Sequence, residues 1–354
     1  IEKNVSAAIK SLKSLDRKGF VAATCTLGIC YAKGIGYSRN RDIAHIMFEK
    51  AFAFGSVRAG VELAVMRIED RKPLKNKKLV FESVQKLSEL GNVEASYAKA
   101  LALLNGVACK ADVFEANRLL QYAVDKGNAN AMFKLGMNYL EGNGVISDAK
   151  AGVELLINAA KKSNAEALNN LAVCYQNGIV VEKSIPLALE HYRKSADMGY
   201  DVAQNNLAVC YLQGLGGSTK EAVELLERAA NSGNVDSWEN LARCYLDGVG
   251  TDKNPQEAAY WLRKAALRGG VEAKAVLGRM YVDGVLIKQN LRDGIKFLSE
   301  AAKSGNSEAM LHLGACYYTG TGVKRNEQLG VALFRKSANL GNKKAKETLR
   351  KINK

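Results

Sequence analysis

The chain has 354 residues but only 3 prolines, 3 histidines and 2 tryptophans, and aromatic side chains make up 7% of it. Proline breaks helix interiors, so its scarcity leaves long stretches free to stay helical. The histidines, His45, His191 and His312, lie far apart and no C-x-x-C pair accompanies them, so the ligand spacing of a zinc site is missing. Neither G-x-x-x-x-G-K-S/T nor G-x-S-x-G occurs. With no mutually supporting catalytic constellation, the sequence points away from an enzyme and calls for neither metal nor cofactor. No apolar run approaches the roughly 18 residues a bilayer span needs, and no basic start leads into an apolar signal core.

What is present is hydrophobic material at 47% and a formal net charge of +15. The charge is uneven. Residues 1–91 carry 17 Lys or Arg against 9 Asp or Glu, and residues 334–354 carry 8 against 1, so the middle is close to neutral. A nucleic-acid binder carries its excess as a stripe along one binding face, whereas here it sits at both ends.

The organising signal is a segment read as A-x-x-x-L-G/A-x-x-Y-x-x-G, clearest in "AMFKLGMNYLEGNG", "ALNNLAVCYQNG", "AQNNLAVCYLQGLG" and "AMLHLGACYYTGTG". Its first position falls at Ala23, Ala59, Ala95, Ala131, Ala167, Ala203, Ser237, Ala273, Ala309 and Ala345; every interval is 36 residues except the 34 between Ala203 and Ser237. Counting that position as offset 0, offsets 0, 4, 5 and 8 share one face of a helix. Glycine at offset 11 ends the helix, and only Asp70 departs from it.

A second helix follows, marked by a small residue, a large apolar one four later and a small one three after that, as in Ala258, Leu262, Ala265 and in Ala222, Leu226, Ala229. Pro186 and Pro255 stand near its start, where a missing N–H is harmless. It closes in Gly-Asn, as at Gly91-Asn92 and Gly305-Asn306, where glycine ends one helix and asparagine caps the next. The expected architecture is all-α: a right-handed α-solenoid superhelix of about nine antiparallel two-helix repeats. The whole of residues 1–354 reads as one array, with a half repeat at 1–21, nine repeats over 22–344 and a last helix from 345.

The 36-residue period, the L-G-x-x-Y-x-x-G-x-G run and the A-A-x-x-G-N ending resemble the Sel-1-like repeat family, relatives of the tetratricopeptide repeats. The resemblance covers nearly the whole chain. It implies a non-catalytic adaptor or scaffold, in signalling, protein quality control or host–microbe contact, whose partner is a protein or an extended peptide. One branch of the family is secreted and stapled by paired cysteines in each repeat. Here five of the seven cysteines, Cys30, Cys174, Cys210, Cys244 and Cys316, share offset 7 with no regular pair, so neither the staples nor that branch's binding of antibiotics carries over. Reduced cysteines favour the cytoplasm. A start at Ile1 rather than Met leaves an exported or periplasmic location open.

Candidate binding residues are those the periodic core does not use. If the first helices line a concave groove, offsets 2, 3, 6, 9 and 10 face it. Offset 3 holds Asn170, Asn206, Asn240 and His312; offset 2 holds Asn169, Asn205 and Glu239; Arg243 and Arg279 share offset 6. Side-chain amides one repeat apart can pair with an extended peptide backbone, or they can tie neighbouring helices together. Tyr97, Phe133, Met137 and Tyr318 are candidate apolar anchors. A second candidate is the basic loop of Arg71, Lys72, Lys75, Lys77 and Lys78, which suits nucleic acid or an anionic surface as an electrostatic tether. It follows the second repeat's two irregularities, Arg67 for Tyr and Asp70 for Gly.

Overall fold

A computed structural model describes residues 2–69 and 77–352. Among the described residues there are twenty α-helices and no strand. Helix α1 (Glu2–Arg17) comes first. The repeat-opening helices are α2 (Val21–Lys33), α4 (Val57–Glu69), α6 (Val93–Asn105), α8 (Ala129–Glu141), α10 (Ala165–Asn177), α12 (Asp201–Leu212), α14 (Val235–Asp247), α16 (Val271–Asp283) and α18 (Ser307–Thr319). Their second helices are α3 (Arg41–Ala53), α5 (Lys77–Glu89), α7 (Val113–Asp125), α9 (Ala149–Lys161), α11 (Ile185–Asp197), α13 (Thr219–Asn231), α15 (Pro255–Leu267), α17 (Leu291–Lys303) and α19 (Glu327–Asn339), and α20 (Lys343–Ile352) follows. The chain divides into two compact units, Ile1–Ala203 and Gln204–Lys354.

Each unit is built by the same local rules. The offset-0 alanines Ala95, Ala131, Ala167, Ala273, Ala309 and Ala345 are fully buried, and Leu135, Leu241 and Leu277 at offset 4 are as well. The two helices of a repeat meet through small residues. A Cβ added to Gly136 would lie 2.9 Å from the Gly152 carbonyl oxygen, and one added to Gly314 would lie 3.1 Å from that of Gly330. Backbones this close leave no room for a side chain at these glycines, and in other repeats the same positions hold the buried alanines Ala172 and Ala188 and Ala242 and Ala258.

Helix ends follow the expected chemistry. The offset-11 glycines outside the second repeat take the left-handed conformation, from Gly106 at φ 62° to Gly320 at φ 84°. The turn after them closes when the cap residue of the second helix donates its N–H to the offset-8 carbonyl, as Asn254 does to Tyr245 at 2.9 Å and Asn326 to Tyr317 at 2.8 Å. Asn92, Asn128, Asn164, Asn234, Asn306 and Asn342 each accept the N–H of the offset-0 residue of the following helix. Four first helices depart from the rule: Ser56 caps α4 through its hydroxyl, Phe20 and Tyr200 precede α2 and α12, and Gly270 stands before α16 and offers no side chain. The 34-residue interval is absorbed by a shortened α12 and the loop after it. A Cβ at Gly217 in that loop would collide with the Tyr211 ring, so the tighter path runs directly over that tyrosine.

All seven cysteines are free thiols, and the five at offset 7 are buried. Burial raises each of their pKa values, that of Cys316 to about 11, so they behave as small core side chains and not as nucleophiles. Among the described residues no helix is long and apolar enough to cross a membrane.

Candidate functional site

The first-helix face of the second unit holds the polar residues that helical periodicity nominates. Asn240 and Arg243 lie on α14, Arg279 and Asp283 on α16, and His312 and Glu308 on α18. Asn240 donates from Nδ2 to Asn205 Oδ1 at 2.9 Å, which ties α12 to α14 and fixes the amide. Arg243 is exposed and Arg279 half-buried, and among the described residues neither guanidinium has a carboxylate within ion-pairing distance. Unpaired and one repeat apart, both remain available to an incoming anion.

His312 sits among charges of both signs. Glu308 Oε2 is 3.7 Å from Nε2 along the same helix, while Arg279 and Asp283 face it from α16 and Lys344 from α20. Its pKa is lowered, first by burial and then by the Arg279 charge, with Asp283 and Glu308 opposing. Both effects favour the neutral ring, and negative charge added nearby opposes them.

Other nominated residues lie elsewhere. Asn169 and Asn205 are buried, and Asn205 Oδ1 accepts from Ser237 Oγ at 3.2 Å as well as from Asn240. Offset 2 lies on the seam between neighbouring first helices, so an amide there serves the next repeat instead of a groove. Tyr97, also at offset 2, is 4% exposed and packs with Leu101, Leu103 and Leu119; Lys99 occupies the position where leucine is the rule, and the tyrosine supplies apolar bulk. Phe133 and Met137 pack, half-buried, beside Leu156 and Leu171, and Tyr318 lies against Phe334 with ring centroids 6.2 Å apart. None of these is a free anchor. Asn170 donates to the Glu166 carbonyl of its own helix at 2.9 Å, and Asn206 is half-buried and partnered.

Of the basic loop, Arg71, Lys72 and Lys75 lie outside the described residues. Lys77 begins α5, and Lys78 is exposed, 4.0 Å from Glu82. Just before it, Arg67 fills the tyrosine position and donates from Nη2 to Glu49 of α3 at 2.6 Å.

Sequence reasoning set one carboxylate among the groove residues and missed its capping role. Glu239, at offset 2 of α14, accepts the Ala273 N–H that an asparagine cap would take at α16, and its Oε1 stands where a Cβ on Gly270 would lie, 2.6 Å away. Burial raises its pKa, and Glu272 and Asp236 add to the rise. The signal was present in two adjacent departures, glycine for cap asparagine and glutamate at offset 2, which periodicity treats separately.

Stacked two-helix units with glycine-ended helices, asparagine-capped turns and small-residue seams define a helical repeat solenoid. The Sel1 repeat family model matches residues 21–53, 93–128, 129–164, 165–200, 201–234, 239–270, 271–306 and 307–342. The chain belongs to the Sel1 repeat family, whose members generally act as scaffolds for protein–protein interaction. It is similar to a protective antigen of uropathogenic Escherichia coli strains with an SLR fold, at 26% identity over 98% of this chain and 75% of that one, with a TM-score of 0.67. It is also similar to a Sel1 repeat protein from Oxalobacter formigenes, at 26% identity over 87% of this chain and 89% of that one, with a TM-score of 0.58. Comparison with curated proteins found no match.

Proposed function

We propose that this chain is a non-catalytic scaffold whose second unit holds a carboxylate-bearing segment of a partner protein on its first-helix face. The observation that carries the reading is the pair Arg243 and Arg279, one repeat apart and without ion-pair partners, beside an Asn240 held in place from α12. Two arginines on successive helices match carboxylates on a peptide laid across those helices, and fixed side chains lower the ordering cost of binding. His312 strengthens the grip, since a carboxylate near Arg279 offsets the charge that keeps the ring neutral, and binding then takes up a proton.

The test is binding of labelled acidic, neutral and basic peptides to wild type and to Arg243→Ala/Arg279→Ala. Acidic peptides should bind preferentially, and the double variant should lose about tenfold or more, close to the 1.4 kcal/mol that one decade represents. The electrostatic tether makes a different forecast. Under it, Lys75→Glu/Lys77→Glu/Lys78→Glu removes binding, the arginine variant is unaffected, and affinity collapses between about 50 and 200 mM salt. That pattern would replace the groove with the basic loop.

A further inference from the structure

The chain's two tryptophans, Trp238 and Trp261, share one cation. Lys264 Nζ lies 4.5 Å from the Trp261 ring centroid, 5.0 Å from that of Trp238 and 5.4 Å from that of Tyr260. The walls are well fixed. Tyr260 and Trp261 meet edge-on at 5.0 Å with their planes 75° apart, and Trp238 donates from Nε1 to the Ala230 carbonyl at 2.9 Å. Both indoles are buried, while Tyr260 stays 54% exposed and forms the outward wall.

Among the described residues no carboxylate is in ion-pairing range of Lys264, so three ring faces and no counter-ion meet the half-buried side chain's ammonium. A primary ammonium suits such a box poorly, because its three N–H donors are strongly hydrated and aromatic faces satisfy them only in part. A quaternary ammonium carries the same charge on a methylated surface, gives up less hydration on entry and is the cation that several converging rings recognise best. The present occupant is held by its own flexible stem, which a side-chain rotation can withdraw without backbone change.

We infer that Trp238, Tyr260 and Trp261 form a recognition box for a quaternary ammonium group, with Lys264 as an internal occupant that the ligand displaces. The box lies on α14 and α15 apart from the arginine pair, and it stands or falls independently of the peptide reading. Trimethyl-lysine and choline present the same group.

Because the box contains both tryptophans, intrinsic tryptophan emission reports on it directly. Tetramethylammonium chloride is titrated against wild type and Lys264→Ala, with sodium chloride as the ionic control and helical circular dichroism as the check on folding. Emission should change with tetramethylammonium alone, at a midpoint about tenfold lower in Lys264→Ala, in keeping with the strength of a desolvated cation–π contact. Adding Tyr260→Ala to that variant should abolish the response. If Lys264→Ala does not fold, Lys264→Met, which keeps the stem, takes its place. Choline and a trimethyl-lysine peptide are then titrated against wild type; whichever acts at the lower concentration names the source. A folded Lys264 variant that responds no differently to tetramethylammonium and sodium would overturn the inference. So would a wild type that responds to neither choline nor the peptide, which leaves the box an internal staple.

Discussion

The second and eighth repeats each lose a residue that the pattern supplies elsewhere, and each recovers it with a carboxylate from the repeat before. In the second, Arg67 replaces the offset-8 tyrosine and is met by Glu49 of α3; in the eighth, Gly270 replaces the cap asparagine and Glu239 of α14 takes the free N–H. The family model continues through the eighth repeat and is silent over 54–92. Cap loss is a local vacancy that one neighbouring side chain fills. An arginine in a tyrosine's place changes the chemistry of the packed face itself.

The largest effects test whether the two repeats are packed alike. Leu63 and Leu277 hold the same offset-4 position and are 4% and 0% exposed. Leu277→Ala and Leu63→Ala should each lower stability by about 2–5 kcal/mol in chemical denaturation. If only Leu277→Ala does so, the second repeat is a loosely packed insert and the comparison fails.

Next in size is the compensating ion pair. Glu49→Ala strands a guanidinium that is 16% exposed and should cost about 1–3 kcal/mol. Replacing both partners, as Arg67→Tyr/Glu49→Ala, should return the melting temperature to wild type or above, and continued destabilisation would show that the tyrosine cannot be accommodated there.

The cap substitution gives a smaller and more specific effect. Gly270 has φ −53°, open to any residue, so the obstacle to asparagine is space, first Glu239 Oε1 at 2.6 Å from the added Cβ and then the Ala265 carbonyl oxygen at 3.1 Å. Gly270→Asn should therefore destabilise wild type yet stabilise Glu239→Ala by about 1 kcal/mol, a coupling that a double-mutant cycle measures directly. Additive effects would mean that the two groups do not share the N–H. Glu239 also predicts a pH dependence. Its folded pKa is raised above the ordinary 4.5, so between the two values the folded chain binds more protons and stability falls as pH rises. Glu239→Gln should remove that slope, which melting curves at a series of pH values would reveal.

The smallest effect concerns a break with no compensation. Val180 sits at φ 64° in the loop position that Gly144, Gly216 and Gly250 occupy in other repeats. A β-branched residue is strained there, and Val180→Gly should raise stability by about 1 kcal/mol after the entropic cost of glycine.

Most of the fold was legible because each repeat encodes the same helix twice over, through its apolar face and through its caps. Ala258, Leu262 and Ala265, chosen on spacing alone, are all buried, and the Gly-Asn turns cap as read. The candidate site was only half legible. Periodicity assigns a residue to a side of its own helix and says nothing of how far the next helix overlaps that side. Asn240, Arg243, Arg279 and His312 therefore fall on one polar face, while Asn169, Asn205 and Tyr97 at offset 2 are covered. Ser237 at offset 0, where alanine is the rule, was the one hint that Asn205 had a partner in the next repeat.

The cap bonds also bear on how such a chain can change its length. Asn164 donates to Asn130, Asn306 to Glu272 and Asn342 to Glu308, so an ordinary asparagine cap reaches back to the start of the preceding first helix and asks little more of it than an acceptor. Repeats joined this way are exchangeable, and one can be duplicated or lost in recombination with its caps intact. At Gly270 the dependence runs forward from Glu239, at a position filled in other repeats by cysteine, valine, tyrosine, phenylalanine, asparagine, alanine or leucine. The eighth repeat placed after any of those would lose the carboxylate that takes its free N–H, so the seventh and eighth are matched to each other in a way the asparagine-capped repeats are not.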